Sequence, residues 1–428
     1  MTQEAKRYIR LNPRFDRDET LSSLKAELVE SSGDSSSYPL PVSWLHPAKD
    51  DGEYEFYAIP ADFPLNRSPL FQSGRVYGMD VTSGAAVLAL LYDTYDDAET
   101  KAGKSNTNGK DSAQEDKSKL RVLDLCCAPG LKLCMLADLV PMSSKVIGVD
   151  ISQNRIQLCK NIIKKYHTNQ LTSAPTNQTS SSNVTIQLYC TDGTSFGTKQ
   201  LSGLVFDSNA EKQELKTQGK RKRQNKSARA REKRRLLELQ RQGVTNVASC
   251  DNEEKMNNDR TELSHDKSIE TNATCLSFDR VLVDAECSTD GAIRHIQKRE
   301  ASSKTPLWNE SNMNELVDLQ KRLLESGFRL LKSGGTLVYS TCSLNEKQNE
   351  DVVRWLLEKY NEAFIIPVSF HKRYKAKQMP SFVVNGSIAG TIRFNPSASA
   401  SDGIEEVCLP GTGFFLSKIG KKEIERSD

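Results

Sequence analysis

The sequence predicts an α/β fold: an open, mostly parallel sheet with helices on both faces. Three observations predict it. Short apolar runs recur, each ending in an acid or a cysteine: Val122 to Asp124, Lys145 to Asp150, Phe278 to Asp284 and Thr336 to Cys342. Such runs fit strands buried on both faces. Between them lie stretches with apolar residues at helical spacing, such as Leu133, Leu136, Ala137 and Val140, or Leu316, Leu319 and Leu323. Finally, the first run passes through the turn Ala128-Pro129-Gly130 directly into a helical pattern, the front of a βαβ unit.

A chain of 428 residues can bury a full α/β core and still carry a small second domain or long insertions. Its ten cysteines and five histidines show no CxxC or CxxxH spacing, so no structural metal is expected. Free thiols in this number fit a reducing compartment. No apolar run reaches membrane-spanning length and no signal-peptide core opens the chain. A soluble, intracellular protein without membrane contact is expected, and a monomer.

From the N-terminus, Tyr8 to Asn12 reads as a strand. A helix follows from about Asp18 to Val29, capped near Asp16 or Asp18, and then a Ser/Gly/Asp linker. Trp44-Leu45 and Tyr54 to Ile59 are strand-like. Residues 1–72 are expected to form a small α/β domain on the substrate side, with a plain structural extension as the equal alternative. Residues 73–420 are expected to form the main domain. Its first helix spans Ala85 to Tyr95, and the polar loop 97–119 reads as disordered. After Asp150 come a helix from Gln153 to Tyr166, a polar stretch, and an alternating strand Val184 to Tyr189 leading to Asp192.

Residues 197–274 interrupt this logic as a long, disordered, basic insertion. Lys216 to Arg235 holds eleven Lys and Arg against one acid, Glu232, so its net charge is +10; with +3 overall, the rest carries −7. One reading is a solvated insertion, helical around Ala228 to Gln240. The other is a nuclear or nucleolar address, or an arm that binds phosphates. Charge so concentrated repels itself and favours a polyanion.

The sheet resumes at Phe278 to Asp284. A helix from Met313 to Lys332 is stopped by Ser333-Gly334-Gly335, and the strand Thr336 to Ser340 leads to Cys342. Asn349 to Glu358 is another helix. Closing strands are expected within Pro380 to Phe394 and at Gly413 to Leu416, and 421–428 is a polar tail. Asp124, Asp150, Asp192, Asp284 and Cys342 thus stand at or just past strand ends. In an open parallel sheet they converge on one edge. A glycine turn followed by an acid at the end of the next strand is the logic of adenosine binding, the acid accepting from the ribose hydroxyls.

Five of the cysteines, Cys126, Cys127, Cys134, Cys159 and Cys190, read as small buried core residues, the first two also lining the cofactor turn. Cys287 and Cys342 differ. Each sits in a polar loop after an apolar strand, where a thiolate can form and act as a nucleophile.

These residues resemble a known family. Val122-Leu123-Asp124-Leu125-Cys126-Cys127-Ala128-Pro129-Gly130-Leu131-Lys132 is similar to the first motif of S-adenosylmethionine-dependent methyltransferases of the Nol/Nop/Sun family. Asp284-Ala285-Glu286-Cys287-Ser288 and Ser340-Thr341-Cys342-Ser343 resemble its paired-cysteine signature. The resemblance implies a Rossmann-like methyltransferase sheet and transfer of a methyl group from S-adenosyl-L-methionine to carbon-5 of cytosine in RNA, ribosomal or transfer. By motif, Cys342 would attack carbon-6, Cys287 would assist proton removal and release, and Asp284 would hydrogen-bond the cytosine. Lys132 would face the same site. Cys126, Cys127, Ala128, Pro129, Gly130, Leu131 and Lys132 would wrap the methionine part of the cofactor. Asp150 would hold the ribose, Asp192 would lie near the adenine, and Asp284 would border the cofactor. Two positions depart from the family: Glu286 replaces a proline, and Leu131 replaces a second glycine. A glutamate there could raise the Cys287 pKa or act as a base, and a leucine would be strained if its φ had to be positive. The alternative function is an RNA-binding assembly protein that keeps the cofactor fold with weak or no methyl transfer.

Overall fold

The computed structural model describes residues 6–32, 38–45, 55–92, 119–168, 184–198, 201–211, 276–291, 310–368, 382–395 and 413–423. The chain divides into two compact units, Met1–Ser208 with Leu276–Asp428, and Asn209–Cys275. The second unit lies outside the described residues except at 209–211. The basic stretch 216–235, the helix expected at 228–240, and loop 97–119 up to residue 118 also lie outside them.

The first unit begins with a four-stranded antiparallel sheet in the order β2-β3-β1-β4. Its strands are β1 (Lys6–Leu11), β2 (Leu40–Pro41), β3 (Phe56–Pro60) and β4 (Val76–Gly78). Helix α1 (Arg17–Ser32) begins where Asp16 Oδ1 accepts the Glu19 N–H at 2.8 Å. It buries Leu24 and Leu28 with Ile9, Tyr57, Ile59 and Val76. The last strand lies past residue 72, where the small domain was expected to end. Ile9 pairs with both Tyr57 and Gly78, so the sheet needs the later strand to complete it. A single-turn helix, α2 (Pro69–Gln72), precedes β4.

The main sheet has ten strands, ordered β12-β13-β14-β10-β9-β5-β6-β7-β8, with β11 also on β14. Its parallel centre comprises β5 (Arg121–Asp124), β6 (Lys145–Asp150), β7 (Thr185–Cys190), β9 (Phe278–Asp284) and β10 (Leu331–Thr341). β8 (Leu204–Asp207) pairs antiparallel to β7. That strand falls inside the expected insertion 197–274 and corrects its start. Four residues, Leu-Val-Phe-Asp in a polar context, give too little periodicity to read. On the other side lie β11 (Ala363–Ile365), β12 (Val383–Asn385), β13 (Ile392–Phe394) and β14 (Phe414–Lys421). β14 runs antiparallel to β10.

Alternation explains the two layers. Val122, Val146, Leu282 and Val338 pack on one face, with α3 (Val81–Leu91), α4 (Leu131–Leu139) and α5 (Gln153–Ile163). Leu123, Ile147, Val281, Val283, Leu337 and Tyr339 pack on the other, with α6 (Glu310–Leu330) and α7 (Glu350–Lys359). β5, β6, β9 and β10 are therefore apolar at successive positions within their buried stretches, whereas β7 alternates. No described helix is long and apolar enough to cross a membrane.

Candidate active site at the carboxyl end of the parallel strands

The turn between β5 and α4 is shaped by Gly130. Its φ is +107°, and an added Cβ would come within 3.2 Å of the Cys159 backbone. Glycine alone meets both demands without strain. Leu131 is already the first residue of α4 and is not among the positive-φ positions, so the family's missing second glycine brings no strain. The Cys127 side chain turns into the core, 4.0 Å from Cys159 Sγ, and its N–H donates to Val149 O at 3.0 Å. Of the turn residues expected to wrap a cofactor, Cys127 is thus occupied by packing. Cys126 is partly exposed, and burial, with Asp124 nearby, pushes its pKa up so that it stays a neutral thiol.

At the end of β6, Asp150 is buried and its Oδ1 accepts the Ser152 N–H at 2.9 Å. Arg155 spans from Asp150 Oδ2, at 3.5 Å, to the Ala128 carbonyl, at 3.1 Å, tying the acid to the turn. Asp192, past β7, is exposed, and its Oδ1 accepts from the Thr194 N–H at 2.9 Å. Its carboxylate caps its own short turn.

Asp124, at the end of β5, is 1% exposed, and neither of its oxygens meets a hydrogen-bond partner of good geometry among the described residues. Burial, and then the charge of Asp284, push its pKa up to about 7; Lys132 and the nearby Cys126 amide offset this only in part. A buried, unpartnered acid behind a glycine turn fits a ligand that brings positive charge. S-adenosyl-L-methionine is such a ligand, and the turn, Asp150 and Asp124 together fit it.

Asp284, at the end of β9, has both oxygens engaged. Lys132 Nζ donates to Oδ2 at 2.7 Å and Ser340 Oγ to Oδ1 at 2.7 Å. Burial works against the Lys132 charge, but Asp284 and Asp124 outweigh it and raise the lysine pKa. Lys132 therefore remains an ammonium.

Cys287 and Cys342 are free thiols whose sulfurs lie 3.1 Å apart. The hydrogen bond from Cys342, then the backbone N–H groups of Thr289 and Cys342, lower the Cys287 pKa against its burial. The same shared bond, then burial, push Cys342 up. Of the two thiols, Cys287 is thus the one that ionises more readily. Glu286 is exposed and is not among the groups that shift Cys287. The expected rise in the Cys287 pKa is therefore replaced by a fall.

The structure brings together Lys132, Asp284, Cys287 and Cys342, with Asp124 behind them. Sequence reasoning placed Asp124 among the strand-end groups of the site but assigned it no task, and gave no role to Ser340, Gln348 or Asn349. The last two hold the cysteine loops, and a pair of amides opening a helix reads simply as a cap.

Residues 224–405 match the family described as 16S rRNA methyltransferase RsmB/F, and residues 116–173 match one described as Methyltransferase domain. Ribosomal RNA small subunit methyltransferase F of Shewanella loihica (strain ATCC BAA-1088 / PV-4) is 34% identical over 148 residues, 34% of this chain and 26% of that protein. Its namesake in Klebsiella pneumoniae (strain 342) is 42% identical over 93 residues, 22% and 18% of the two chains. The matched segment thus spans about a quarter or less of these relatives' own length. The crystal structure described as NSun6 from Pyrococcus horikoshii with SFG superposes with a TM-score of 0.51 at 14% identity, covering 98% of this chain and 92% of that one. That of PH0851 gives 0.53 at 18%, covering 98% and 60%. These likenesses show the same fold.

Proposed function

We propose that this chain is a methyltransferase of the Nol/Nop/Sun family and that it methylates carbon-5 of cytosine in RNA, using S-adenosyl-L-methionine. The observation that carries the reading is the thiol pair at 3.1 Å, close enough to the Lys132–Asp284 ion pair for those charges to act on Cys342. Methylation of nitrogen or oxygen needs no thiol nucleophile; carbon-5 of cytosine does. Addition of a thiolate at carbon-6 makes the ring enamine-like and carbon-5 nucleophilic.

The residues divide the work as follows. Cys342 forms the bond to carbon-6 while its proton passes to Cys287, the more readily ionised sulfur, 3.1 Å away. Asp284, held by Lys132 and Ser340, hydrogen-bonds the cytosine, and Lys132 offsets the negative charge that develops on the ring. The bound cofactor supplies the methyl group to carbon-5. The carbon-5 proton then leaves to water, the carbon–sulfur bond breaks, and Cys287 returns its proton to Cys342. Gly130 and Asp150 hold the cofactor, with Asp124 behind them.

The target base must be unstacked to reach this edge, so single-stranded or flexible RNA is the substrate. The names of the bacterial relatives favour ribosomal RNA. The basic stretch 216–235 adds salt-sensitive affinity for the backbone. The nuclear or nucleolar address expected from that stretch draws no support from these bacterial relatives. The binding-only alternative leaned on Glu286, and that residue is exposed and is not among the leading influences on Cys287.

The test uses wild type, Cys287→Ala and Cys342→Ala with labelled cofactor and total RNA. Wild type should label RNA; in Cys287→Ala water can still take the Cys342 proton but no thiol returns one to the leaving sulfur, so a denaturant-resistant protein–RNA adduct should remain; Cys342→Ala should do neither. Wild-type transfer by Cys342→Ala would sink the covalent route.

A further inference from the structure

Each reactive cysteine is bracketed by one of two consecutive carboxamides. Gln348 and Asn349, both fully buried, stand just before α7. Gln348 Oε1 accepts the Ser288 N–H at 3.0 Å, and its Nε2 donates to Ser288 Oγ at 2.8 Å, so the residue after Cys287 is held twice. The residue before Cys287 is held in the same way at one remove. Gln320 Nε2 donates to both the Glu286 carbonyl, at 2.8 Å, and Gln348 Oε1, at 3.2 Å. Asn349 does the same for the other loop. Its Oδ1 accepts the Thr341 hydroxyl at 2.5 Å, and its Nδ2 donates to the Ser343 carbonyl at 2.9 Å, one residue either side of Cys342. The Gln348 carbonyl itself accepts from Tyr339 at 2.6 Å, fastening the pair to β10.

We infer that Gln348 and Asn349 are positioning residues that set the separation of the Cys287 and Cys342 sulfurs. One peptide bond joins the two carboxamides, so their spacing is fixed covalently and passes to both loops. Neither side chain needs to touch substrate. As a contribution to methyl transfer the inference rests on the function proposed above, because the separation matters there for moving the proton between sulfurs. Misplacing reacting groups by about an ångström can cost on the order of 100-fold in rate.

The experiment compares wild type with Gln348→Glu and Asn349→Asp, which keep shape and acceptor but lose the donor, and with Thr341→Val, which removes the hydroxyl end of one contact. Each is melted, titrated with S-adenosylmethionine, and reacted with phenylarsine oxide, whose arsenic bridges two thiols only when both are in reach. Single-turnover transfer is then measured against RNA concentration. Expected are cooperative melting, unchanged cofactor affinity, capture of the arsenical slowed about tenfold or more, and transfer slowed roughly 10- to 100-fold at saturating RNA. The concentration of RNA giving half-maximal rate should move little. Wild-type capture rates in all three folded variants would overturn the inference. So would wild-type transfer with slowed capture. Capture needs neither RNA nor catalysis, so an inactive wild type would count against the proposed function and leave this test standing.

Discussion

The ammonium of Lys132 lies 2.7 Å from Oδ2 of Asp284, across 152 residues of sequence. One comes from the first turn of α4 and the other from the end of β9, adjacent to β5 in the sheet. The contact joins the two turns proposed to act: the same helix turn that begins at Gly130 supplies the cation beside the cysteines. Lys132→Met should therefore lower methyl transfer by roughly 100-fold, the scale of losing one preorganised charge-stabilising donor. Cofactor affinity should change far less. Single-turnover rates and binding isotherms separate the two, and a wild-type rate in Lys132→Met would remove the lysine from the chemistry.

Asp124 should make cofactor binding depend on pH. Its pKa is raised from 3.8 to about 7 in the folded protein, so the acid is mostly protonated below that value and charged above it. A ligand carrying positive charge prefers the charged form, and affinity should rise as pH climbs from about 6 toward 8. The dependence can reach at most about tenfold per pH unit for one proton. Calorimetry in two buffers of different ionisation enthalpy should detect proton release on binding near pH 6.5, absent in Asp124→Asn. Identical profiles for the two proteins would show that Asp124 is not the linked group.

Stability carries a second, opposite linkage. Arg10, wholly buried, donates to Asp138 at 2.7 Å; Arg14 also pairs with that acid, Tyr77 donates to it at 3.0 Å, and His167 lies 3.4 Å away. This cluster fastens β1 and β4 to α4. Burial, with Arg14 and Arg10 adding to it, pushes the His167 pKa down from 6.5 to about 3 against the pull of Asp138. A depressed histidine is neutral in the fold, and the unfolded chain binds the extra proton. Stability from this group is present above about 6.5 and is lost as pH falls toward 3. Asp124, raised, works the other way: stability is lost as pH rises from about 4 to 7. The two slopes, each at most about 1.4 kcal/mol per pH unit, oppose one another between pH 4 and 6.5. Single variants therefore reveal what the wild type hides. His167→Gln should gain stability relative to wild type as pH drops from 7 to 5, and Asp124→Asn should gain it as pH rises over the same range. Parallel urea-midpoint curves for all three proteins would contradict both assignments.

How much of this was legible follows from the physics of each signal. Most central strands were readable because both faces are buried, which makes Val122-Leu123 or Val281-Leu282-Val283 apolar without interruption. Cys287, Cys342, Asp284 and Lys132 were readable because each stands at a strand end or in a turn of recognisable composition. β4 was not, since three residues carry no period and its pairing with Ile9 is a long-range fact. β8 was hidden by its polar neighbours. Asp192 looked like its counterparts at other strand ends, yet its carboxylate caps a local turn, a use that composition cannot distinguish from a ligand contact. Gln348 and Asn349 escaped for the converse reason: an amide before a helix is ordinary, and only the fold brings Ser288 and Thr341 to it.

The closest backbone approach in the site yields the sharpest structural prediction. Gly291 donates its N–H to the Cys342 carbonyl at 3.0 Å and accepts from the Gly413 N–H at 2.7 Å. The Cys287 loop, the Cys342 loop and the start of β14 are thus laced together through one residue. A Cβ at Gly291 would sit 2.6 Å from the Gly413 oxygen and 2.8 Å from the Cys342 oxygen, and backbone atoms cannot swing aside as a side chain can. Gly291→Ala must push the Cys342 loop or the β14 lead-in outward. The core is untouched, so the loss of stability should stay within about 1–3 kcal/mol, the usual cost of local overpacking. Catalysis should suffer more, because the displaced carbonyl belongs to Cys342, the proposed nucleophile. Expected are a cooperative melt a few degrees lower, cofactor binding intact, and methyl transfer down by roughly 100-fold. If the rate fell only in proportion to the folded fraction, the lacing would serve stability alone and the position of the Cys342 carbonyl would not govern the chemistry.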